Sequence, residues 1–210
     1  QVYSTIGYLR NNGFDPIVIN WLPKDLEEGY KKFHPPVQIE EHRKFIENNL
    51  PLTELCRTSA EISRIIKTYN IEAVIIGSDA VLQHRTFLDR VIITRRGIKL
   101  REKRTNLVFP NPFWGSFIQE LDSEIPIALM SASSQNMNFH LIKGPLRKRM
   151  GNALLQFSHI KVRDEWTRKM VIYLTKGKIN PEVTPDPVFA YNQNIKEQFT
   201  KQDITKKFGL

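Results

Sequence analysis

Between Ile71 and Ile76 the chain runs Ile-Glu-Ala-Val-Ile-Ile and closes on Gly77-Ser78-Asp79. Successive apolar side chains in a strand point to opposite faces, so this run has to be covered on both. That is the position of a strand in a parallel sheet flanked by helices. Ile125 to Ser131 and the short His159 to Val162 are the next strand-like segments. Helical patterns separate them: Thr53 to Tyr69, with Leu55, Ile62, Ile65 and Ile66 on one face; Leu146 to Gln156, introduced by Gly144-Pro145; and Asp164 to Leu174, ending before Gly177. Alternation of this kind predicts an α/β fold built on a doubly wound, mostly parallel, Rossmann-like sheet.

The rest of the chain fits the same scheme. A helix over Gln1–Asn11 is expected to end at Asn12-Gly13, and the β-branched stretch Pro16–Asn20 reads as a strand. A polar, proline-containing stretch, Trp21 to Val37, precedes a helical pattern from Ile39 to Asn48. Asn111-Pro112 should start an aromatic helix through Phe113, Trp114 and Phe117. Val183 is a last strand-like piece before Pro185-Asp186-Pro187-Val188-Phe189. Ile195, Phe199, Ile204 and Phe208 recur at near-helical spacing. The sequence starts at Gln1 inside a helical pattern and stops at Gly209-Leu210, which suggests a fragment of a larger protein.

With 40% apolar and 25% charged residues, a disordered tail, a collagenous chain and a small disulfide-stapled module are excluded. The one cysteine, Cys56, forms no intramolecular disulfide and no zinc cluster, which fits a reducing compartment. No apolar run is long enough to cross a bilayer as a helix. His34, His42, His84, His140 and His159 show no metal-ligand spacing. The formal charge is +9, and its main source is the segment His84–Arg104, where eight arginines and lysines face only Asp89 and Glu102. Such a segment should attract anions, with an acidic glycan or an anionic membrane surface as candidates.

In parallel α/β sheets, ligands bind beyond the carboxyl ends of the strands. The loops that matter therefore follow Ile76, Ser131, Val162 and Thr184. Ser78 and Asp79 can cap a helix or present oxygens and amides to an anion. Ser133 and Ser134 follow a buried strand in a turn that needs small residues, and that turn also lets a ligand come close to the backbone. Arg163 carries a guanidinium to the same edge, suited to two-pronged capture of a carboxylate or phosphate, or to a structural pair with Asp164 or Asp186. There is no dinucleotide-binding glycine fingerprint, no phosphate-binding Gly-Lys-Ser/Thr loop and no nucleophile-elbow serine.

Taken in order, Gly13-Phe14-Asp15-Pro16-Ile17-Val18-Ile19, Phe45-Ile46 with Leu52-Thr53, Ile75-Ile76-Gly77-Ser78-Asp79, Ala128 to Ser134, Ile160 to Glu165 and Pro185 to Phe189 resemble the polysaccharide pyruvyl transferase family over essentially the whole chain. The resemblance implies two Rossmann-like halves facing across a cleft, the GT-B architecture. Residues 1–190 would be the first half with its first strand truncated, and 191–210 a linker or the start of the second. It implies a transferase that moves the enolpyruvyl unit of phosphoenolpyruvate onto two sugar hydroxyls as a ketal in cell-surface polysaccharide synthesis. No cofactor or metal is implied beyond phosphoenolpyruvate as co-substrate. Substrate binding would fall to Arg163, Ser78, Asp79, Ser133 and Ser134, with the catalytic histidine and a further arginine in the other half. The expected setting is the cytoplasm, with peripheral membrane contact through 84–104. Two other readings compete: a GT-B glycosyltransferase using a nucleotide sugar, and a nucleic-acid-binding module suggested by charge beside Phe113-Trp114.

Overall fold

A computed structural model of the chain describes residues 1–95 and 97–194. The side chains of Ser78, Asn192 and Asn194 lie outside that description, as does the pattern of Ile195, Phe199, Ile204 and Phe208. The chain divides into two compact units.

Among the described residues, one unit joins Gln1–Pro16 to Asp186–Asn194. Its helix α1 covers Val2–Asn11 and ends as the sequence predicts, with Gly13 in the left-handed region at φ +82 and its amide donating to Arg10 O at 3.1 Å. Ser4, fully buried, donates to Pro187 O at 3.0 Å, and the Gln1 side chain bonds Asp186. Asp186 also accepts from the Val188 amide, which starts the short 3-10 helix Pro187–Ala190.

The other unit, Ile17–Pro185, holds the sheet. Helices α2 (Lys24–Phe33) and α3 (Pro36–Asn49) come first, then α4 (Ser59–Thr68). The α2 helix occupies the stretch expected to be irregular. Pro23 and Pro35 do not interrupt helices; each stands immediately before one, where a missing N–H costs nothing. The α4 helix starts later than its apolar pattern suggests. Thr58 and Glu61 form a reciprocal capping box, while Thr53–Cys56 are held extended against the chain before α2 by single parallel bridges, Val18 to Leu52 and Trp21 to Cys56. Cys56 is buried, and its thiol is pushed up to about 11 by burial and by the nearby carboxylates of Glu61 and Glu54.

Strand β1 (Val74–Asp79) is followed by the helical turn α5 (Phe87–Arg90) and a hairpin of β2 (Val91–Thr94) and β3 (Gly97–Leu100). The remaining elements are β4 (Ile127–Ala132), α6 (Gly144–Leu154), β5 (His159–Val162), α7 (Glu165–Thr175) and β6 (Glu182–Val183). The sheet order is β1-β4-β5-β6, every neighbour parallel. The mixed α/β class and the mostly parallel sheet are as expected. New strands are added on one side only, however, and the order reversal of a doubly wound sheet is not found among the described residues. The segment read as a further strand, 16–20, bridges through Val18 to Leu52 instead of joining the sheet, and Trp21 just after it bridges to Cys56. The aromatic segment is likewise a 3-10 turn, Pro112–Trp114, stopped by Gly115 in the left-handed region.

β4 is the best-covered strand, with Ile127, Leu129 and Ala132 at 2% exposure or less. β1 is covered on one face: Val74 and Ile76 are buried while Ile75 is 43% exposed, so the expectation of two covered faces fails there. Ile65, Leu82, Trp114, Met150, Val162 and Val171 complete the core, each large side chain contributing about 2 kcal/mol over its exposed state. Within the β1–β4 ladder Gly77 pairs with Met130, and a Cβ on Gly77 would stand 2.1 Å from the Met130 carbonyl oxygen. No helix among the described residues is long and apolar enough to cross a membrane.

Candidate functional site

Because all four strands are parallel, their carboxyl ends lie on one edge. That edge presents Asp79 after β1, Ser133 and Ser134 after β4, Arg163 after β5 and Thr184 after β6. Its backbone is unusual. Asp79, Ser131 and Gln135 take φ values of +68, +49 and +50, three non-glycine residues in the left-handed region within one loop cluster. Each costs on the order of 1–3 kcal/mol, an expense that persists only where surrounding contacts enforce it.

Those contacts are dense. The Ser133 amide donates to Asp79 O at 2.8 Å, and Leu82 N donates back to Ser133 O at 3.1 Å, so the turns after β1 and β4 are laced together. Ser133 Oγ donates to Asp164 Oδ2 at 2.7 Å and accepts from the Gln135 amide at 3.0 Å. The other oxygen of Asp164 accepts from Thr167 N at 2.7 Å, capping α7. The Ser134 amide donates to Thr167 Oγ1 at 2.9 Å, and the two hydroxyls lie 3.1 Å apart. Ser131 Oγ donates to Pro185 O at 2.8 Å and lies 3.0 Å from Thr184 Oγ1.

Ser133 and Ser134, at 2% and 0% exposure, are therefore interior scaffold. Their polar atoms bond protein, and buried polar atoms with good partners add about 1 kcal/mol each and rigidity besides. Asp79 and Arg163 reach outward. Arg163 Nη2 meets Asp79 Oδ1 at 3.2 Å, with the Asp79 side chain 65% exposed and that of Arg163 26% exposed. Strands β1 and β5 are not neighbours, so the guanidinium crosses above the end of β4, where Ala132 and Ser133 are small enough to allow it. Asp164, the adjacent acid that sequence offers as a partner, is occupied by the α7 cap and by Ser133. Ser78 stands at the same strand end, and its side chain is not described.

Two features of the edge were not foreseen. One is the Asp79–Arg163 pair, whose only sequence trace is the run of small residues that separates them. The other is the exposed bond between the Gln83 and Gln135 side chains, on the loops that follow β1 and β4. His84 is a core group: it is buried, its Nδ1 accepts from Phe109 N at 2.9 Å, and burial holds its imidazole below the ordinary value. Two cavities open on this unit, of about 320 and 590 Å³, and Asp79, Ser133, Ser134 and Arg163 line neither. Among the described residues no three His, Cys, Asp or Glu side chains are grouped as metal ligands.

Chemically, the edge is a rigid turn cluster that holds a guanidinium and a carboxylate at the rim of a parallel sheet. It is suited to an anionic or hydroxyl-bearing ligand. Comparison with curated proteins and with solved structures returns no match. Against models of protein families, residues 1–209 match that of polysaccharide pyruvyl transferase. The chain belongs to the polysaccharide pyruvyl transferase family, and so to the transferases that act in polysaccharide synthesis.

Proposed function

We propose that this chain takes part in transferring the enolpyruvyl group of phosphoenolpyruvate to two hydroxyls of a sugar in a cell-surface polysaccharide precursor. The enol carbon gains bonds to both sugar oxygens and loses its bond to the phosphate oxygen. One hydroxyl proton ends on the methylene carbon, which becomes a methyl group, and the other leaves with phosphate. Such a reaction needs cations for a carboxylate and a leaving phosphate, and an acid for the methylene. In this reading Arg163 holds the donor anion and Asp79 orients the guanidinium. Ser133 and Ser134 keep the turn in shape, with Ser78 beside them. The catalytic acid belongs to a second Rossmann-like half of a GT-B architecture, of which residues 1–190 are the first half and 191–210 the connection. The cytoplasm, where phosphoenolpyruvate is made, is the proposed setting.

The observation that carries the reading is the family match over residues 1–209, together with a guanidinium at the carboxyl edge of the sheet. Titration of phosphoenolpyruvate into the wild-type protein and into Arg163→Ala, followed by calorimetry, is the direct test. Loss of a charge-assisted contact should weaken binding about tenfold to a hundredfold. The fold should survive, because an exposed ion pair is worth under about 1 kcal/mol. Equal affinities would remove Arg163 from the donor site. Phosphate release from phosphoenolpyruvate on adding candidate glycans tests the transfer itself. Stabilisation by nucleotide sugars and not by phosphoenolpyruvate would favour a glycosyltransferase.

A further inference from the structure

The segment His84–Arg104, read in the sequence as a basic stretch, folds into α5 and the β2–β3 hairpin. Its register decides where its side chains go. Val91 pairs with Leu100 and Ile93 with Ile98, whereas Ile92 pairs with Lys99 and Thr94 with Gly97. Opposed residues of an antiparallel pair share a face and alternate along the strand, so Val91, Ile93, Ile98 and Leu100 form one wholly aliphatic face. That face is in water: Ile93 is 82% exposed, Ile98 76% and Leu100 51%, and none of the four belongs to the core. Phe87 and Leu88, on the turn leading into β2, are 65% and 70% exposed.

An uncovered two-stranded hairpin is marginal in water, and a contiguous aliphatic face on one marks an interaction surface. The cations of the same segment are Arg85, Arg90 and Lys103 near its root, Arg95 at the turn after β2, Arg101 next to β3, and Lys99 on the face opposite the aliphatic one. The nearby acids are engaged: Asp89 is bonded by the Thr86 amide and hydroxyl, and Glu102 lies 3.9 Å from Lys32. At the root of the hairpin, Arg85, Arg90 and Lys103 line the cavity of about 320 Å³.

We propose that this hairpin docks the protein on a bilayer rich in anionic phospholipid. Ile93, Ile98 and Leu100 enter the acyl boundary, and the cations of the segment, with the cavity at the hairpin's root, engage headgroup phosphates. Charge complementarity selects this occupant. A second copy of the chain would bring the same cations face to face. A polyanionic nucleic acid or glycan would satisfy the cations but leave the aliphatic face in water. A bilayer interface supplies both an apolar phase for the aliphatic face and phosphates for the arginines and lysines of the same segment. The inference is independent of the donor chemistry, and its readout is binding alone.

The test is co-sedimentation of the whole chain with vesicles of phosphatidylcholine alone and of an equal mixture with phosphatidylglycerol, at low and high NaCl. Binding should favour the anionic vesicles and weaken with salt. Ile93→Asp with Ile98→Asp should lower it at least about tenfold, as should Arg95→Glu with Lys99→Glu. Ile93→Ser with Ile98→Ser is the milder pair, and circular dichroism verifies the fold of each. Ile93→Trp should give a blue-shifted emission on the anionic vesicles only. Equal binding to both vesicle types, or variants that sediment like the wild type, would overturn the proposal. So would self-association abolished by Ile93→Asp without lipid, or oligonucleotide binding that needs the same cations and displaces the protein from vesicles.

Discussion

At the carboxyl edge of the sheet, hydroxyls, amides and a carboxylate are turned inward and bonded to one another. In the β2–β3 hairpin, isoleucine and leucine are turned outward and bonded to nothing in the core. The edge spends its polar groups on Ser133, Ser134, Asp164 and Thr167, and so fixes two outward-reaching charged groups, Asp79 and Arg163, with little freedom. The hairpin keeps its bonds local: Arg101 N donates to Arg90 O at 2.7 Å, and the Thr94 hydroxyl donates to Gly97 O at 2.8 Å. An internally bonded platform and an uncovered flap tolerate change differently, and substitution can separate them.

The largest effect should come from the sheet beneath the edge. Gly77→Ala forces a methyl group against the Met130 carbonyl. It should cost about 3 kcal/mol or more and lower Tm by roughly 6–12 °C in thermal unfolding. A change under about 2 °C would mean the platform is not rigid. Next is Asp164→Ala, which removes the α7 cap and the acceptor of Ser133 together. About 2 kcal/mol should be lost in urea titration, and Asp164→Asn should recover about half of it by keeping the cap.

A smaller effect depends on pH. Burial lowers the His84 imidazole below 6.5, with Asp89 acting in the opposite sense. The unfolded chain therefore binds this proton before the folded one does, so this contribution is whole above pH 6.5 and is lost as pH falls from there through the lower value of the folded state. His84→Gln, which still offers Phe109 N an acceptor, should flatten stability against pH between neutral and mildly acidic conditions; parallel curves would refute it. Smallest of all, Ile93→Ser in the hairpin should move stability by no more than about 0.5 kcal/mol, because the side chain is already exposed. A larger loss would show that the flap is part of the platform.

The elements that could be read in sequence were those whose partners are local or whose pattern is strong. The helices α6 and α7 and the strands β4 and β5 form within two residues of their expected bounds, and Asp164 opens α7 as its capping geometry implies. β1 was displaced toward its carboxyl end. Ile71 N donates back to Ile66 O, completing the end of α4, so pairing with β4 starts at Val74 and runs through Asp79. The hairpin was obscured by its charges, since Lys99 and the arginines hide an alternation that emerges only once Ile93 and Ile98 are known to be opposed. At the sheet edge, sequence showed which loops follow the strands but not which of their side chains turn inward. Whether a serine faces solvent or Thr167 depends on how three separate turns stack, and that is a long-range property.

Cys56 has one more consequence. It is the only cysteine in the chain, it is 1% exposed, and its thiol titrates near 11, so at neutral pH it offers almost no thiolate to an alkylating reagent. The wild-type chain is thus a silent background for thiol chemistry. A single Ile93→Cys or Asp79→Cys substitution would accept a spin label or fluorophore selectively. The platform and the flap can each report their own surroundings without any native cysteine having to be removed.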